Sequence, residues 1–431
     1  MESTWIKLGK KVKRLAKATL FPTQKAHISY VRRIERVKTS EKVCAMTFDD
    51  GPMDLPAAPD QFGGQALTDV LLDTLRDFGS KGVFDVVGDT SENYPDACGA
   101  PGTPTWGGTA FDHYPEFGQD HMGGAEHCPR LIQRILSEGH QITNHGYRHI
   151  IFGKKPYVYG KRQYQGNLDA VVQDMEKLHS LLKDRHGYTM TMTRPPHYVD
   201  NIDGTFTSYD ACALMDYQYL AASFDGQGWL PAKTGDVQQM EVKEMVEPLR
   251  RALEQDQDFF CGQIIFQKDG YNMALRTPVA FGLRQHLELL AKAGYRVVTV
   301  QDLLELSPFA DVGADDPDFD HLKELQRAHA IVYSDNTLRL DEPMSRGELA
   351  MLLAPRDATV GTRIRKLRQG DKNFAHPYSG ALHWCVEQHL LPPSVSPDTP
   401  LQPADLRKAS DFFLSTVTGT SRRDVLRKAK L

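Results

Sequence analysis

Two short polar stretches, about a hundred residues apart, could together hold one metal ion. Asp49 and Asp50 follow the mainly apolar run 43–48, and His145 and His149 lie four positions apart. Adjacent carboxylates at the end of a buried strand repel each other, so a neighbouring cation is expected. Histidines four apart on a helical turn share a face and can bind one ion. One aspartate with both histidines leaves positions open on a zinc-like ion, as in a catalytic site; the alternative is an Asp-rich turn and two surface histidines.

Strands and helices that alternate along the chain would position these groups. The pattern predicts a strand over 43–48, a helix over 66–78 and a second strand over 82–87. Further apolar runs lie near Gln141, Met190, Tyr219, Ile264 and Arg296. Because each polar motif falls at or just after one of these runs, we expect an α/β barrel.

Five motifs in order carry a family resemblance. They are Thr47-Phe48-Asp49-Asp50-Gly51-Pro52, His145-x-x-x-His149, Arg194-Pro195-Pro196-His197, Asp225 to Trp229, and Ile264-Ile265-Phe266-Gln267-Lys268-Asp269. This series resembles that of polysaccharide deacetylases, the NodB-homology group or carbohydrate esterase family 4, over roughly residues 41 to 306. The resemblance implies a distorted (β/α) barrel of about seven strands with its site at their C-terminal ends.

The resemblance also assigns roles. It implies that Asp49 is the general base and that Asp50, His145 and His149 hold a divalent metal ion, with zinc as the expected metal. Arg194 would keep Asp49 ionised, and Asp225 is expected in the catalytic group.

The third motif of the resemblance implies an oxyanion contact. The backbone N–H of His197 would stabilise the oxyanion, where the family usually has Tyr. A kinked Arg-Pro-Pro loop without such a role is the alternative.

The last two motifs depart from the family pattern. Gly228 stands where most members have Asp, and Lys268 stands where they have the His that protonates the leaving amine. We expect Lys268, with its pKa lowered by the metal and by burial, to donate that proton or to stabilise developing negative charge. A protein that binds sugar without cleaving it is the alternative.

Aromatic residues indicate the substrate. Trp229 and Tyr147 offer flat faces for stacking on sugar rings, although aromatics also fill cores. The long loop between Gly88 and Arg130 is typical of a lid or substrate wall. We therefore expect an N-acetylated amino-sugar polymer or oligomer as substrate, with release of acetate, and O-acetyl ester cleavage as the alternative.

Composition is that of a soluble globular protein, and the charge is uneven. The chain is 40% hydrophobic and 25% charged, and its net charge is -5. It contains no run of eighteen apolar residues, and its six cysteines form no C-x-x-C pair. Residues 1–42 hold twelve Lys and Arg against three Glu.

Residues 1–40 form a basic arm in this interpretation. Trp5, Leu8, Val12 and Leu15 recur at helical spacing among lysines, which predicts an amphipathic helix that contacts an anionic membrane surface or lies as a solvated arm. Nucleic acid is not expected as a partner, because the basic cluster is confined to this arm.

Residues 309–431 resemble two degenerate S-layer homology repeats. The first contains Ser345-Arg346-Gly347-Glu348, and the weaker second contains Gln402-Pro403-Ala404-Asp405. In that family such repeats bind cell-wall polymer, so this partner is expected; a helical module packed on the barrel is the alternative.

The sequence gives conflicting indications of where the protein is located. Lysines interrupt every candidate apolar core near the N-terminus, so no export signal is expected. This predicts a cytoplasmic or membrane-associated protein, whereas the repeats favour a bacterial cell surface.

Overall fold

A computed structural model describes most of the chain. It covers residues 26–58, 61–89, 122–153, 164–230, 232, 237–272, 276–393, 396–410, 417 and 419–430. The predicted N-terminal helix and most of the loop between Gly88 and Arg130 lie outside the described residues.

A nine-stranded sheet of parallel strands forms the centre of the first 300 residues. The described strands are β1 Arg33–Ile34, β2 Val43–Asp49, β3 Pro56–Ala58, β4 Gln61–Ala66, β5 Val83–Val86, β6 Gln141–Asn144, β7 Ile151–Phe152, β8 Tyr164–Gln165, β9 Met192–Thr193, β10 Gln218–Leu220, β11 Phe224–Asp225, β12 Ile264–Lys268 and β13 Arg296–Val298. The sheet order is β1-β10-β9-β6-β5-β2-β12-β11, and β13 also pairs with β2. The other four strands form two small separate pairs.

The sheet curls into a distorted barrel. Strand β10 lies next to one edge and β11 forms the other, yet only residues 221–223 separate them in sequence. Since an extended chain spans at most about 3.6 Å per residue, the two edges lie close together. The predicted α/β barrel architecture is thus confirmed, although several of its strands have only two or three residues.

Helices cover this sheet and make up the C-terminal part. They are α1 Leu67–Asp77, α2 Pro129–Ser137, α3 Leu168–His186, α4 Ser208–Met215, α5 Gln238–Gln255, α6 Pro278–Lys292, α7 Val300–Leu306, α8 Phe319–Ala328, α9 Arg346–Leu353, α10 Thr362–Arg368, α11 Ser379–Glu387, α12 Pro403–Lys408 and α13 Arg422–Leu426. None of these helices is long and apolar enough to cross a membrane. The predictions for 43–48, 66–78 and 82–87 agree with β2, α1 and β5 to within one residue at each end.

Strand β2 carries the first motif through the middle of the core. All seven of its residues are buried, as expected for a parallel strand covered on both faces. Its first half pairs with β13, its second half with β5, and its other edge with β12. Asp49 therefore ends a strand that is fixed on both sides.

The C-terminal part has a hydrophobic core of its own. Phe309, Leu349 and Val425 belong to this second cluster, and so does Ile28 from the start of the described chain. The Ile28 backbone N–H donates to the Tyr378 hydroxyl at 2.8 Å. A few residues later the chain forms β1 of the barrel sheet, so part of the predicted basic arm connects the two cores.

The motif Ser345 to Glu348 starts helix α9. Ser345 and Glu348 form a capping box, and Glu348 is buried, where Arg422 Nη2 donates to its Oε1 at 2.7 Å. Arg346 Nε donates to Asp405 Oδ2 at 2.7 Å, which joins the two repeat-like segments. Wall-polymer binding stays a prediction.

Candidate active site and metal centre

A row of polar residues crosses four neighbouring strands. Lys268 on β12 is in register with Asp49 on β2, Asp49 with Asp85 on β5, and Asp85 with Thr143 on β6. Residues in register on adjacent strands point to the same face of the sheet. All four lie at or one residue before the C-terminal ends of their strands, where barrel enzymes hold their chemistry.

Asp50 and the two histidines converge on one point. Nε2 of His145 lies 3.3 Å, and Nε2 of His149 lies 3.2 Å, from Oδ1 of Asp50. All three residues are at least 95% buried. The structure therefore brings together the ligand set that the sequence predicted.

The histidines reach this point from a loop. Residues 145–149 are not helical, and Gly146 and His149 have positive φ values of 85° and 54°. The expected helical turn is therefore wrong. Asp174 holds the loop instead, since its Oδ2 accepts the backbone N–H of Tyr147 at 2.8 Å.

This donor set fits a divalent metal ion. Asp50, His145 and His149 can each offer one ligand atom, and these atoms lie within 4.8 Å of one another. Two imidazoles and one carboxylate are typical of catalytic zinc, which keeps a further position for water or substrate. The residues thus suit the predicted cofactor.

The second nitrogen of His145 faces two acceptors. Its Nδ1 lies 2.7 Å from the carbonyl oxygen of Arg194 and 2.9 Å from Oδ2 of Asp85. Because neither acceptor can donate, Nδ1 carries a hydrogen, which leaves Nε2 as the nitrogen that would bind a metal ion beside Asp50. Burial lowers the pKa of His145, but Asp85 and Asp50 outweigh it, so the pKa lies well above its ordinary value.

Asp49 is held by an arginine. Arg194 Nη1 donates to Asp49 Oδ1 and, at 3.0 Å, to the Thr47 hydroxyl. The guanidinium is fully buried and lies 5.5 Å and 5.7 Å from the ring centres of Tyr198 and Phe266. Arg194 is therefore fixed on several sides and orients the carboxylate.

The electrostatic environment of Asp49 has opposing parts. Burial raises the pKa of Asp49, Arg194 opposes this rise, and Asp85 adds to it. Such a carboxylate can take up a proton more readily than an exposed one, which suits a general base.

Lys268 enters the site from the neighbouring strand. It is 4% exposed, and its Nζ lies 3.2 Å from Oδ2 of Asp50. The next residue, Asp269, accepts the Thr68 hydroxyl at 2.7 Å and packs against Gly51, where an added Cβ would meet its Oδ2 at 2.0 Å. Gly51 is thus required for the close approach of the first and fifth motifs.

Asp225 and Trp229 contact each other. The indole Nε1 of Trp229 lies 3.2 Å from Oδ2 of Asp225, and the Gln227 backbone N–H donates to Oδ1 at 2.8 Å. Asp225 is exposed and forms the edge strand next to Phe266. Its carboxylate is engaged at this turn, so a catalytic role for Asp225 stays a prediction, as does sugar stacking by Trp229.

His197 lies beside the candidate metal ligands, whereas the ring of Tyr147 is buried away from solvent. The His197 ring centre lies 5.2 Å from that of His149, so the third motif reaches the metal centre. Tyr147 is only 4% exposed, with Lys177 Nζ 3.8 Å from its ring centre and Gly88 against its edge. The covered ring argues against sugar stacking by Tyr147, which stays a prediction.

Sequence reasoning missed two acidic residues. Asp85 contacts the metal-ligand candidate His145, and Asp174 shapes the loop that carries it. A signal for Asp85 was present, since it is the single charge within the otherwise apolar run 83–87. Asp174 lies in the middle of α3 and has no comparable signal.

A comparison with protein families supports this site. Residues 36–203 match the family model for polysaccharide deacetylase. The match covers less than half of the chain, and Asp225 and Lys268 lie beyond it. No curated protein matches the chain.

Several solved structures are similar to it. The peptidoglycan deacetylase PdaC from Bacillus subtilis is 19% identical, with 62% of this chain and 93% of that chain covered and a TM-score of 0.39. The chitin deacetylase from Colletotrichum lindemuthianum is 17% identical, with 67% and 94% covered and a TM-score of 0.43. A CE4 family pseudoenzyme from Bacillus anthracis is 11% identical, with 63% and 68% covered and a TM-score of 0.38.

The part of the chain that matches the family model holds the predicted base, all three predicted metal ligands and Arg194. Residues 36–203 of this protein are therefore similar to polysaccharide deacetylases.

Proposed function

We propose that this protein is a divalent-metal-dependent hydrolase that removes N-acetyl groups from an amino-sugar polymer or oligomer and releases acetate. One observation carries the proposal: Asp50, His145 and His149 converge in a buried site, and Asp49 lies beside them with its carboxylate held by Arg194. The family match over 36–203 supports the deacetylase class.

Each residue of the site has its own role in the proposed reaction. A divalent ion held by Asp50, His145 and His149 would polarise the acyl carbonyl and acidify the attacking water. Asp49 accepts the proton from that water, because Arg194 keeps its carboxylate oriented. The water oxygen bonds to the acyl carbon, the C–N bond breaks, and the products are acetate and a free amine.

Two further groups serve the later steps in this proposal. The backbone N–H of His197, whose ring centre lies 5.2 Å from that of His149, donates to the developing oxyanion. Lys268, whose Nζ lies 3.2 Å from Asp50, gives a proton to the leaving amine. Lys268 thus supplies the acid that the family takes from a histidine.

Acetate release tests this function. Purified protein would be assayed on N-acetylglucosamine oligomers and on acetylated xylan, before and after chelation and after zinc is returned. We expect release from the oligomers that chelator abolishes and zinc restores. Release from xylan alone would identify an O-acetyl esterase, and chelator-resistant release from the oligomers would contradict the metal mechanism.

One observation favours a second candidate, a carbohydrate-binding protein without activity. The Lys268 ammonium pairs with Asp50, a proposed metal ligand, and so competes with a metal ion for that carboxylate. Binding of the oligomers without acetate release in the presence of excess zinc would establish this candidate instead.

A further inference from the structure

Asp85 is a buried carboxylate within an otherwise apolar strand. It stands between Phe84 and Val86 on β5 and is fully buried. A buried carboxylate is destabilising unless it is hydrogen-bonded or paired with a cation. Asp85 therefore needs partners that offset this cost.

Its two oxygens have different partners. Oδ1 accepts the Thr143 hydroxyl at 2.6 Å, and Oδ2 lies 2.9 Å from Nδ1 of His145. Thr143 is in register with Asp85 on the neighbouring strand, so the carboxylate is fixed by the sheet itself. The imidazole of His145 is in turn fixed from the side that faces away from Asp50.

We propose that Asp85 is a positioning residue that holds the imidazole of His145 with Nε2 directed at the metal position. This inference rests on the metal site of the proposed function. A carboxylate on the far nitrogen of a ligating histidine fixes the ring orientation and makes the ring a stronger ligand. Nδ1 hydrogen-bonds to the Arg194 carbonyl at 2.7 Å, and Asp85 Oδ2 faces the same nitrogen at 2.9 Å as an ion-pair contact that adds the negative charge the carbonyl lacks.

The charges around the site indicate a second role for Asp85, which is to offset the positive charge of a metal ion. Arg194 pairs with Asp49, and Lys268 pairs with Asp50. The charges of these four side chains cancel, so no net negative charge remains to offset a divalent ion. Asp85, a further buried carboxylate in register with Asp49 on the neighbouring strand, lowers the cost of adding that charge. Metal affinity should therefore depend on Asp85 although it is not itself one of the proposed ligands.

Asp85 could also take part in a rival metal position. Asp49, Asp85 and His145 likewise bring ligand atoms within 4.8 Å of one another. That position would compete with the Arg194 pairing of Asp49. Its Asp85 oxygen also lies 2.9 Å from Nδ1 of His145, which already hydrogen-bonds to the Arg194 carbonyl. We therefore favour the position at Asp50 and use the test to separate the two.

The test measures metal affinity directly. Wild type, Asp85→Asn and Thr143→Val, each stripped of metal, would be titrated with zinc in competition with a chromophoric chelator. Removing such a partner typically weakens binding by about 10- to 100-fold, so we expect that loss for Asp85→Asn and a smaller loss in the same direction for Thr143→Val. Cobalt absorption spectra of the same proteins would report a change in ligand geometry.

Asp269→Asn is the matched control. Asp269 is another fully buried carboxylate beside this site, but its partner is Thr68 and not His145. Asp269 shares the charge effect near Asp50 but not the contact with His145, so we expect a smaller loss of metal affinity than in Asp85→Asn. Thermal unfolding would show that each variant is folded.

The possible outcomes are distinct. Unchanged affinity in folded Asp85→Asn, or an equal loss in Asp269→Asn, would overturn the positioning role. Complete loss of binding in Asp85→Asn with retention in His149→Ala would identify Asp85 as a ligand at the rival position. A wild-type protein that binds no zinc would contradict the proposed function itself.

Discussion

The Nζ of Lys268 lies 3.2 Å from Oδ2 of Asp50, on the same carboxylate whose Oδ1 faces both histidines. The ammonium group thus pairs with the other oxygen of the proposed metal ligand. In the proposed reaction it is the proton donor, but this pairing also reduces the negative charge available to a metal ion. Two consequences of this placement can be measured separately.

Lys268→Ala should lower kcat by about 100-fold or more with little change in KM, since a positioned acid typically contributes about 10²–10⁴-fold. Zinc affinity of the same variant should rise, because Asp50 loses its competing cation. Lys292→Ala, which removes an exposed lysine at the end of α6, serves as the control and should match wild type in both measurements. Unchanged kcat would remove Lys268 from the proton transfer.

Replacement of Asp49 and replacement of Asp50 should have different effects on zinc binding and on kcat. His145 Nε2 lies 4.0 Å from Asp49 but 3.3 Å from Asp50, and Asp49 is paired with Arg194. Asp49→Asn should therefore still bind zinc, more weakly than wild type because Arg194 loses its partner, while kcat falls by about 10²–10⁴-fold, as expected on loss of a general base. Asp50→Asn should lose zinc binding and activity together. Equal zinc affinities in the two variants would contradict the assignment of Asp49 as base and Asp50 as metal ligand.

Arg194 should be coupled energetically to Asp49. Arg194→Met leaves the buried Asp49 carboxylate without its cation, which typically costs about 3–5 kcal/mol of unfolding free energy. The double variant Arg194→Met/Asp49→Asn removes both charges and should recover part of that loss, with a coupling of about 1–3 kcal/mol by urea unfolding. Strictly additive effects of the single variants would mean that the ion pair does not stabilise this site.

His286 should make stability depend on pH below neutrality. Its Nδ1 accepts from Gln267 Nε2 at 3.0 Å and its Nε2 donates to the Met245 carbonyl at 3.2 Å, which requires the neutral ring. Burial lowers the pKa of His286 to about 4 from an ordinary 6.5. The unfolded chain therefore takes up the proton first, so stability is complete above about pH 6.5 and decreases as the pH falls towards 4.

The size of this effect is about 3 kcal/mol at most, since one pKa unit corresponds to about 1.4 kcal/mol. His286→Leu should reduce the slope of unfolding free energy against pH between 6.5 and 4. The slope should not vanish, because burial also lowers the pKa of His140 to about 4. An unchanged slope in His286→Leu would contradict the assignment of a neutral buried ring.

Local patterns were enough to predict the main strands of the barrel and the candidate metal ligands. The apolar run before Asp49 and the regular series of later runs gave the barrel, because parallel strands buried on both faces read as continuous apolar stretches. Charged side chains directly after such strands stand out against that background. One aspartate of the pair 49–50, His145 and His149 were found in this way, and the family resemblance selected Asp50. The structure brings Asp50 and both histidines together.

Long-range contacts were not accessible in the same way. The spacing of His145 and His149 suggested a helical turn, but Gly146 with its positive φ and the cap from Asp174 produce a loop that serves equally well. Tyr147 looked like a sugar platform, yet the approach of Gly88 and Lys177 covers it. Such contacts depend on which distant segments meet, and spacing along the chain does not contain that information.

The most direct test of this account is a calorimetric titration of the metal-stripped protein with zinc, on wild type and on His149→Ala, with Lys292→Ala as control. The convergence of Asp50, His145 and His149 predicts one zinc per chain in wild type and in the control, and loss of that binding in His149→Ala. Zinc bound to His149→Ala with the affinity of wild type, or no zinc bound to wild type, would contradict the metal centre on which the proposed hydrolase depends.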